Sequence, residues 1–279
     1  TARFLLANLE GFEPARDSVA AGDMVALVQW EVGLAHRLQQ EIERAYDEFN
    51  FHLIYQKLLN LCVADMGGFY LDVIKDRQYT TRADSLPRRS CQTAMFHIVE
   101  AMVRWMAPVL SFTADEIWGF MPGARDESVF METWYGKLSP LTSGPLDVEA
   151  WRRLIGVKTA VAKQLELMRK EGIIGSSLDA EVDLYCDEGL LAVLRQLGDE
   201  LRFALITSYA SVVPLADAPP EAMDTEVEGL RVAAWASAHA KCVRCWHHRE
   251  DVGANTEHPE LCGRCVDNVF GEGETRQFA

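Results

Sequence analysis

Cys242-Val-Arg-Cys245 and Cys262-Gly-Arg-Cys265 form two Cys-x-x-Cys pairs in this 279-residue chain. Two such pairs separated by a short loop are typical of a zinc site with four thiolate ligands. Gly263 gives the second turn the backbone freedom to bring both of its sulfurs onto one ion. Since four thiolates leave no open coordination position, the spacing predicts a structural Zn²⁺ ion and not a catalytic one. The predicted ligands are Cys242, Cys245, Cys262 and Cys265.

Disulfide bonds, or four unrelated thiols, are the alternative interpretation of the same cysteines. The chain has seven cysteines, an odd number, and no segment has the pattern of a targeting peptide. Both observations favour a reducing compartment, where disulfides are rare, so we expect a cytoplasmic protein. Histidine could also replace a thiolate, although the four cysteines already complete the ligand set. The histidines between the two pairs are His247, His248 and His258.

The charge of the chain is unevenly distributed. Its formal net charge of −15 opposes nucleic-acid binding, because contact with phosphates requires lysine and arginine. Two segments are nevertheless basic: residues 75–97 carry five bases and two acids, and residues 152–170 carry six bases and one acid. A nucleic-acid surface would therefore be patchy, and the alternative is that each basic segment is a solvated helix face. No apolar run approaches the length of a membrane span, so we expect no membrane partner.

The first 135 residues have the apolar spacing of long amphipathic helices. Asp23 is expected to cap the first long helix, and Asn50 the second. A third helix is predicted to begin near residues 84–85 and to stop before Pro108. Thr113-Ala-Asp-Glu116 has the spacing of a capping box for a further helix. Long helices joined by short loops predict an antiparallel helical bundle.

A segment rich in turn-forming residues, 136–147, is predicted to link this bundle to the rest of the chain. A basic helix is then expected over residues 148–171, followed by strands over 181–186 and 230–235. The expected fold class is mainly α. It comprises an antiparallel helical bundle (residues 1–135), a small α/β domain (148–238) and a four-cysteine zinc module (239–279).

Six stretches of the chain resemble one family, the bacterial isoleucyl-tRNA synthetases. The order of bundle, small mixed domain and zinc module is also similar. Valyl and leucyl enzymes share a similar bundle but are not expected to end in this finger. The stretches are Lys241-Cys-Val-Arg-Cys-Trp-His-His248, Glu260-Leu-Cys-Gly-Arg-Cys-Val266 and residues 271–279, together with residues 69–79, 104–118 and 175–182.

The resemblance implies an enzyme that activates isoleucine with ATP and Mg²⁺ and esterifies it to its tRNA. The sequence contains neither an HIGH-like nor a KMSKS-like motif, and no P-loop. It begins Thr1-Ala-Arg without a methionine, which favours a piece of a longer protein. We therefore expect the anticodon-binding and zinc-binding part of such an enzyme, assign no catalytic residue, and expect ATP and Mg²⁺ only in the missing catalytic domain.

The partner implied by the resemblance is isoleucine tRNA, and we expect a monomer that does not bind DNA. Basic side chains would contact the phosphates of the anticodon stem, and unpaired bases would be recognised by stacking and edge hydrogen bonds. Trp246 and His247 could stack on RNA, although a tryptophan beside a metal ligand could instead pack over the zinc core. The predicted tRNA contacts are Lys75, Arg77, Arg82, Arg88 and Arg89, followed by Arg244, Arg249, Arg264 and Trp246.

Two other functions fit part of the sequence. A similar finger occurs in formamidopyrimidine-DNA glycosylases, but such an enzyme would need an N-terminal proline nucleophile with an adjacent glutamate, and this sequence begins Thr-Ala-Arg. A zinc-stapled protein-interaction module would suit the acidic net charge, whereas the basic segment 152–170 and the motifs oppose it. Binding to isoleucine tRNA, compared with an unrelated tRNA and duplex DNA, would discriminate these hypotheses.

Overall fold

The computed structural model describes residues 1–141 and 144–279. Its helices, its single four-stranded sheet and its four-cysteine cluster agree with the predicted mainly α fold class. Thr142 and Ser143, in the predicted linker 136–147, lie outside the described residues. In the described part of the chain, no helix is long and apolar enough to cross a membrane.

The chain divides into two compact units. The first comprises Thr1–Gln78 and Ala83–Gly144, and the second comprises Tyr79–Arg82 and Pro145–Ala279. The finer division into bundle, linker, small α/β domain and zinc module remains a prediction.

Most residues from the start of the chain to Gly119 are helical, because apolar residues recur there with helical spacing and give each helix a face to bury. Its helices are α1 (Ala2–Asn8), α2 (Pro14–Asp17), α3 (Ala26–Asp47), α4 (Phe51–Asn60), a π-helix (Leu61–Tyr70), α5 (Leu71–Thr80), α6 (Leu86–Met106) and α7 (Ser111–Gly119). Helix α6 lies at the centre of the first unit, where it contacts α1, α2, α3 and α7. Its Met95 and Trp105 side chains are completely buried. Burying one such side chain contributes about 1.5–3 kcal/mol, so this helix organises the core of the unit.

Helix α3 begins later than predicted. Its first residue is Ala26, and Val25 occupies the capping position. Asp23 instead closes a short 3₁₀ turn, Ala21–Asp23, and the extended residue Met24 separates that turn from the helix. The prediction that Asp23 caps the first long helix was therefore wrong.

One continuous helical run extends from Phe51 to Thr80, but its middle part is wound as a π-helix. Asn50 precedes this run as predicted, although its side chain makes no capping hydrogen bond. Gly67 is required by the wider winding, because a Cβ atom there would lie 2.9 Å from the carbonyl oxygen of Cys62, five residues earlier. Alanine at this position would force the backbone to shift.

Helix α6 begins as predicted. Ser85 occupies its capping position and Pro87 lies in its first turn, where a helix does not use the missing N–H group. The helix ends at Met106, before Pro108.

Helix α7 begins at Ser111, earlier than predicted, so Thr113 lies inside the helix and does not cap it. The capping box at 113–116 was therefore wrong. The Asp115 carboxylate instead accepts hydrogen bonds from Ser128 Oγ at 2.6 Å and from the backbone N–H of Val129 at 3.1 Å. These two bonds anchor the loop that follows the helix.

The second unit is built on a mixed sheet. Its elements are α8 (Val148–Lys170), β1 (Ala180–Cys186), α9 (Glu188–Arg195), α10 (Leu201–Leu205), β2 (Tyr209–Pro214), β3 (Met223–Asp224), β4 (Leu230–Ala236) and α11 (Gly263–Phe270). The strand order is β2-β1-β4-β3, and Val182 on β1 lies opposite Ala210 of parallel β2 and Ala234 of antiparallel β4. The predicted strands at 181–186 and 230–235 are confirmed. Because parallel strands need a crossover connection, α9 and α10 lie between β1 and β2.

Aspartate side chains cap the N-termini of two helices in this unit. The Asp147 carboxylate accepts a hydrogen bond from the N–H of Ala150 at 2.8 Å, and the Asp187 carboxylate accepts one from Leu190 at 2.7 Å. Each satisfies a backbone donor that a helix N-terminus leaves unpaired.

Candidate metal centre and nucleic-acid interface

The four cysteines predicted to bind zinc lie together in the second unit. Their sulfur atoms all lie within 4.8 Å of one another, and all four residues are buried. The sulfurs of Cys245 and Cys262 are 3.7 Å apart. Four sulfurs placed about 2.3 Å from a tetrahedral Zn²⁺ ion would be separated by about 3.8 Å. The cluster therefore fits zinc in donor type, donor number and spacing.

The thiols of the cluster differ in the direction in which their pKa values are shifted. Hydrogen bonds from Cys242, Cys262 and Cys265 hold the pKa of Cys245 well below its usual range. Hydrogen bonds to Cys242 and Cys245 raise the pKa of Cys265 well above its usual range. The pKa of Cys242 is also lowered, to about 5, by hydrogen bonds from Cys262 and Cys265, whereas hydrogen bonds to Cys242 and Cys245 raise that of Cys262. Two thiolates therefore form readily, and further loss of protons is opposed by their negative charge. A divalent cation offsets that repulsion, which is the donor chemistry that suits zinc.

Backbone and arginine donors are directed at the sulfurs. The N–H of Cys262 donates to the sulfur of Cys242 at 3.4 Å, and an Arg244 guanidinium nitrogen lies 3.9 Å from the sulfur of Cys265. Cys262 also occupies the N-cap position of α11, which places Cys265 in the first turn of that helix. Donors and a helix N-terminus both favour thiolates.

The three histidines near the cluster have other contacts. His247 is buried against Phe203, with ring centroids 5.6 Å apart, and His258 stacks on Phe270 at 4.0 Å. The Nδ1 atom of His248 lies 2.7 Å from a backbone carbonyl oxygen. Among the described residues the metal-binding cluster contains the four cysteines and no histidine.

The Trp246 side chain is mostly exposed. It is 62% exposed, and its φ angle of 66° lies in the left-handed region. This exposure favours a ring that can stack on an RNA base over one that packs on the zinc core. His247 is buried and cannot stack in this way.

Arg77 is completely buried, with 0% of its surface exposed. It follows Val73 by four residues and Ile74 by three, and both of these are also buried. Helical spacing therefore places Arg77 on the apolar face of α5. A buried guanidinium cannot reach a phosphate, which corrects the prediction of a tRNA contact for this residue.

The other basic candidates near α5 and α6 are at least partly accessible. Lys75 is exposed, with its ammonium 2.6 Å from Asp72. Arg88 and Arg89 are half-buried, and Arg89 lies 3.2 Å from the Asp17 carboxylate. Their contact with RNA remains a prediction.

In the second unit, the arginine candidates make internal contacts. Arg82 donates to the carbonyl oxygen of Gly271 at 2.7 Å, and Arg244 donates to that of Thr80 at 2.5 Å. Arg264 lies 3.2 Å from the Glu274 carboxylate. Arg249 is half-buried. These contacts hold the guanidinium groups in place, and their contact with a phosphate remains a prediction.

Glu200, which the sequence analysis did not identify, binds the last three residues of the sequence. The Glu200 carboxylate accepts hydrogen bonds from the backbone N–H groups of Gln277, Phe278 and Ala279 at 2.7–2.8 Å. The Arg276 guanidinium lies 3.5 Å from the centroid of the Phe203 ring. No sequence pattern signals a carboxylate that binds three distant amides.

Comparison with known proteins agrees with this architecture. Residues 29–184, more than half of the chain, match the family described as the anticodon-binding domain of tRNA ligase. Residues 241–268 match the zinc finger found in FPG and IleRS. The isoleucine-tRNA ligases of Pseudomonas putida and Nitrosococcus oceani are each 59% identical to this chain over its full length, and that of Azotobacter vinelandii is 58% identical. The chain spans 30% of the length of each of these relatives. It belongs to the family of anticodon-binding domains of tRNA ligases.

Proposed function

We propose that this chain is the tRNA-binding part of an isoleucine-tRNA ligase and that it holds the anticodon stem-loop of isoleucine tRNA. The observation that carries the proposal is its similarity, 59% identity over all of its residues, to proteins of that name. The domain family matched at 29–184 and the finger matched at 241–268 support the same function.

The zinc module has a structural role in this proposal. Cys242, Cys245, Cys262 and Cys265 would hold the ion, which when bound ties two turns of the chain together. The backbone donor of Cys262 and the guanidinium of Arg244 orient the sulfurs and balance their negative charge. The module then presents Trp246 and its neighbouring arginines on a fixed surface.

Phosphate contacts would come from accessible cations, which fix the register of the tRNA without reading its sequence. Since the net charge is −15, these contacts must be local and sensitive to salt. The proposed set excludes Arg77 and comprises Lys75, Arg88 and Arg89 of the first unit and Arg82, Arg244, Arg249 and Arg264 of the second.

The activity of the whole ligase lies outside this chain. Activation of isoleucine with ATP and Mg²⁺ would take place in another domain, because the sequence contains no ATP-binding motif. We further propose that the protein is a cytoplasmic monomer with isoleucine tRNA as its partner.

The two other functions have less support. The zinc-finger family matched at 241–268 also occurs in the FPG glycosylases. The match at 29–184, however, is to a tRNA ligase domain. A protein-interaction module would explain the acidic charge without explaining that match.

Direct binding tests the proposal. We expect the zinc-loaded 279-residue chain to bind isoleucine tRNA more tightly than an unrelated tRNA and much more tightly than duplex DNA in a filter-binding titration. It should show no isoleucine-dependent exchange of pyrophosphate into ATP. Equal affinity for all three nucleic acids, or preference for duplex DNA, would contradict the proposal.

A further inference from the structure

A cavity in the first unit is not explained by the zinc module or by the phosphate contacts. Its volume is about 830 Å³, and its lining includes Arg104, Arg125, Trp118, Trp134 and Tyr135. Pockets of 300–1,000 Å³ are of the size that binds small ligands. We call it the arginine cavity.

Aromatic rings and guanidinium groups form its inner wall. The Arg125 guanidinium carbon lies 4.4 Å from the centroid of the Trp118 ring, and that of Arg104 lies 4.9 Å from the same ring. Arg104 also lies 5.2 Å from the Tyr135 ring centroid. The wall is therefore polarisable, and cation–π contacts hold its arginines against its aromatic rings.

The hydrogen-bonding groups of the cavity are only partly satisfied. Arg104 forms ion pairs with Glu100 at 2.5 Å and with Glu132 at 2.6 Å, and Arg125 lies 3.2 Å from Glu100. Among the described residues, Nε of Arg104 and both Nε and Nη1 of Arg125 are buried without an acceptor. Buried donors of this kind favour a ligand that supplies acceptors.

The charge of the lining indicates what kind of ligand fits. Three cations, Arg104, Arg125 and Lys137, stand against three carboxylates, Glu13, Glu100 and Glu132. A lining without net charge suits an uncharged ring that offers both acceptors and donors at its edge better than it suits a phosphate. Nucleobases have such edges, and arginine commonly recognises the acceptors of guanine.

A row of aromatic rings runs outward from the cavity. Trp134, which lines the cavity and is 41% exposed, lies 5.6 Å from the ring of Tyr46. Tyr46 lies 6.1 Å from Phe51, and Phe51 lies 6.1 Å from Phe49, which is 77% exposed. We call these four residues the aromatic track. Tyr46 is held in place because its hydroxyl donates to the carbonyl oxygen of Trp105 at 2.7 Å.

Exposed aromatic rings such as those of Trp134, Phe51 and Phe49 are the kind of side chain on which proteins stack unpaired bases, since every base has a flat face. The track and the arginines of the cavity fall within the residues matched to the anticodon-binding domain of tRNA ligase. We propose that the aromatic track stacks unpaired bases of the tRNA anticodon loop and that the arginine cavity admits one of them. This inference rests on the proposed function and names the site at which the loop is bound.

The test uses an RNA hairpin with the sequence of the isoleucine tRNA anticodon arm and the complete 279-residue chain. A second hairpin has the same backbone but lacks the loop bases. Trp134→Ala and Phe51→Ala remove rings of the track, and Trp134→Phe retains a ring. Phe112→Ala is the matched control, because Phe112 is 94% exposed on α7 and does not line the cavity.

We expect Trp134→Ala and Phe51→Ala each to weaken binding of the intact hairpin by roughly 5- to 150-fold. Phe112→Ala should bind like the wild-type chain, and Trp134→Phe should recover most of the loss. The slope of log affinity against log salt should stay unchanged in Trp134→Ala, because no phosphate contact is removed. The hairpin without loop bases should bind the wild-type chain and Trp134→Ala equally weakly.

Wild-type affinity for the hairpin in both alanine variants would overturn the inference while leaving the proposed function intact. A loss that is equally large for the hairpin without loop bases would overturn it too, because the rings would then not be stacking on bases. Failure of the wild-type chain to bind tRNA at all would overturn the inference and the proposed function together.

Discussion

The sulfur of Cys245 lies 3.7 Å from the sulfur of Cys262, which is close to the edge of a tetrahedron around zinc. We therefore predict about one zinc per chain and loss of that zinc in Cys262→Ser, measured by elemental analysis of the purified protein. Cys62→Ser is the matched control, because Cys62 lies outside the cluster. Full zinc content in Cys262→Ser would remove this residue from the ligand set.

Chelation or mild acid should loosen the zinc module before the rest of the chain. Thiolate ligands must lose their protons to bind the metal, so acid competes with zinc. Hydrogen exchange should accelerate first over residues 241–268, while the completely buried core around Met95 and Trp105 stays protected. Uniform acceleration along the whole chain would contradict a local role for the metal.

The contact between Glu200 and the last three amides predicts a measurable loss of stability. Hydrogen bonds to a charged group contribute about 1.5–3 kcal/mol, so we expect Glu200→Ala to lower the free energy of unfolding by about 2 kcal/mol. The amides of residues 277–279 should exchange faster. Glu228→Ala, an exposed carboxylate of the same unit, should change neither quantity. Unaltered exchange at 277–279 in Glu200→Ala would show that the tail is held by other contacts.

The buried carboxyl group of Glu31, on α3, predicts that the stability of the folded protein depends on pH. Its carboxyl group is completely buried without a hydrogen-bond partner among the described residues, and burial, with a smaller effect of Asp65, raises its pKa from 4.5 to about 8. The folded protein therefore keeps the proton over a pH range in which the unfolded chain releases it. The stabilisation is complete below about pH 4.5 and is lost as the pH rises through about 8.

Glu31→Gln removes this titration. We expect the variant to show a flatter dependence of the free energy of unfolding on pH between 5 and 8 and greater stability than the wild type at pH 8, by up to several kcal/mol. Glu43→Gln on the same helix is the control. Parallel pH profiles for Glu31→Gln and the wild type, measured by chemical denaturation, would contradict the buried protonated state.

The proposed phosphate contacts predict a change in salt dependence. Lys75→Ala and Arg88→Ala should each reduce the slope of log affinity for isoleucine tRNA against log salt by roughly 0.7–0.9. Arg195→Ala, an exposed arginine of the second unit outside the proposed set, should not. An unchanged slope in the double variant would indicate that Lys75 and Arg88 belong to a solvated helix end.

The zinc cluster and the strands at 181–186 and 230–235 could be predicted because their signals are local, whereas β2 and β3 were not predicted. Two Cys-x-x-Cys turns need only one short loop to meet, and alternation over 181–186 identifies a strand. The starts of α3 and α7 could not be predicted in this way. Asp23 and Thr113 have the residue type of a cap, but Asp23 lies in a 3₁₀ turn before α3 and Thr113 lies inside α7. Which residue caps a helix depends on where the backbone enters the helix, and tertiary packing determines that point.

The RNA-binding side chains were harder to identify. Arg77 was predicted to contact RNA because it lies in a basic segment. Its position on α5 instead places it on the same buried face as Val73 and Ile74. The aromatic track was missed because Phe49 and Trp134 are distant in sequence and come together through Tyr46 in the fold. A charge count cannot find a platform made of uncharged rings.

Nuclease footprinting on isoleucine tRNA tests the central claim most directly. The zinc-loaded 279-residue chain should protect the anticodon stem and loop and leave the acceptor stem open to cleavage. Protection of the loop should be lost in Trp134→Ala and retained in Phe112→Ala. Protection confined to the acceptor stem, or the same pattern on an unrelated tRNA, would contradict an isoleucine-specific anticodon-binding function.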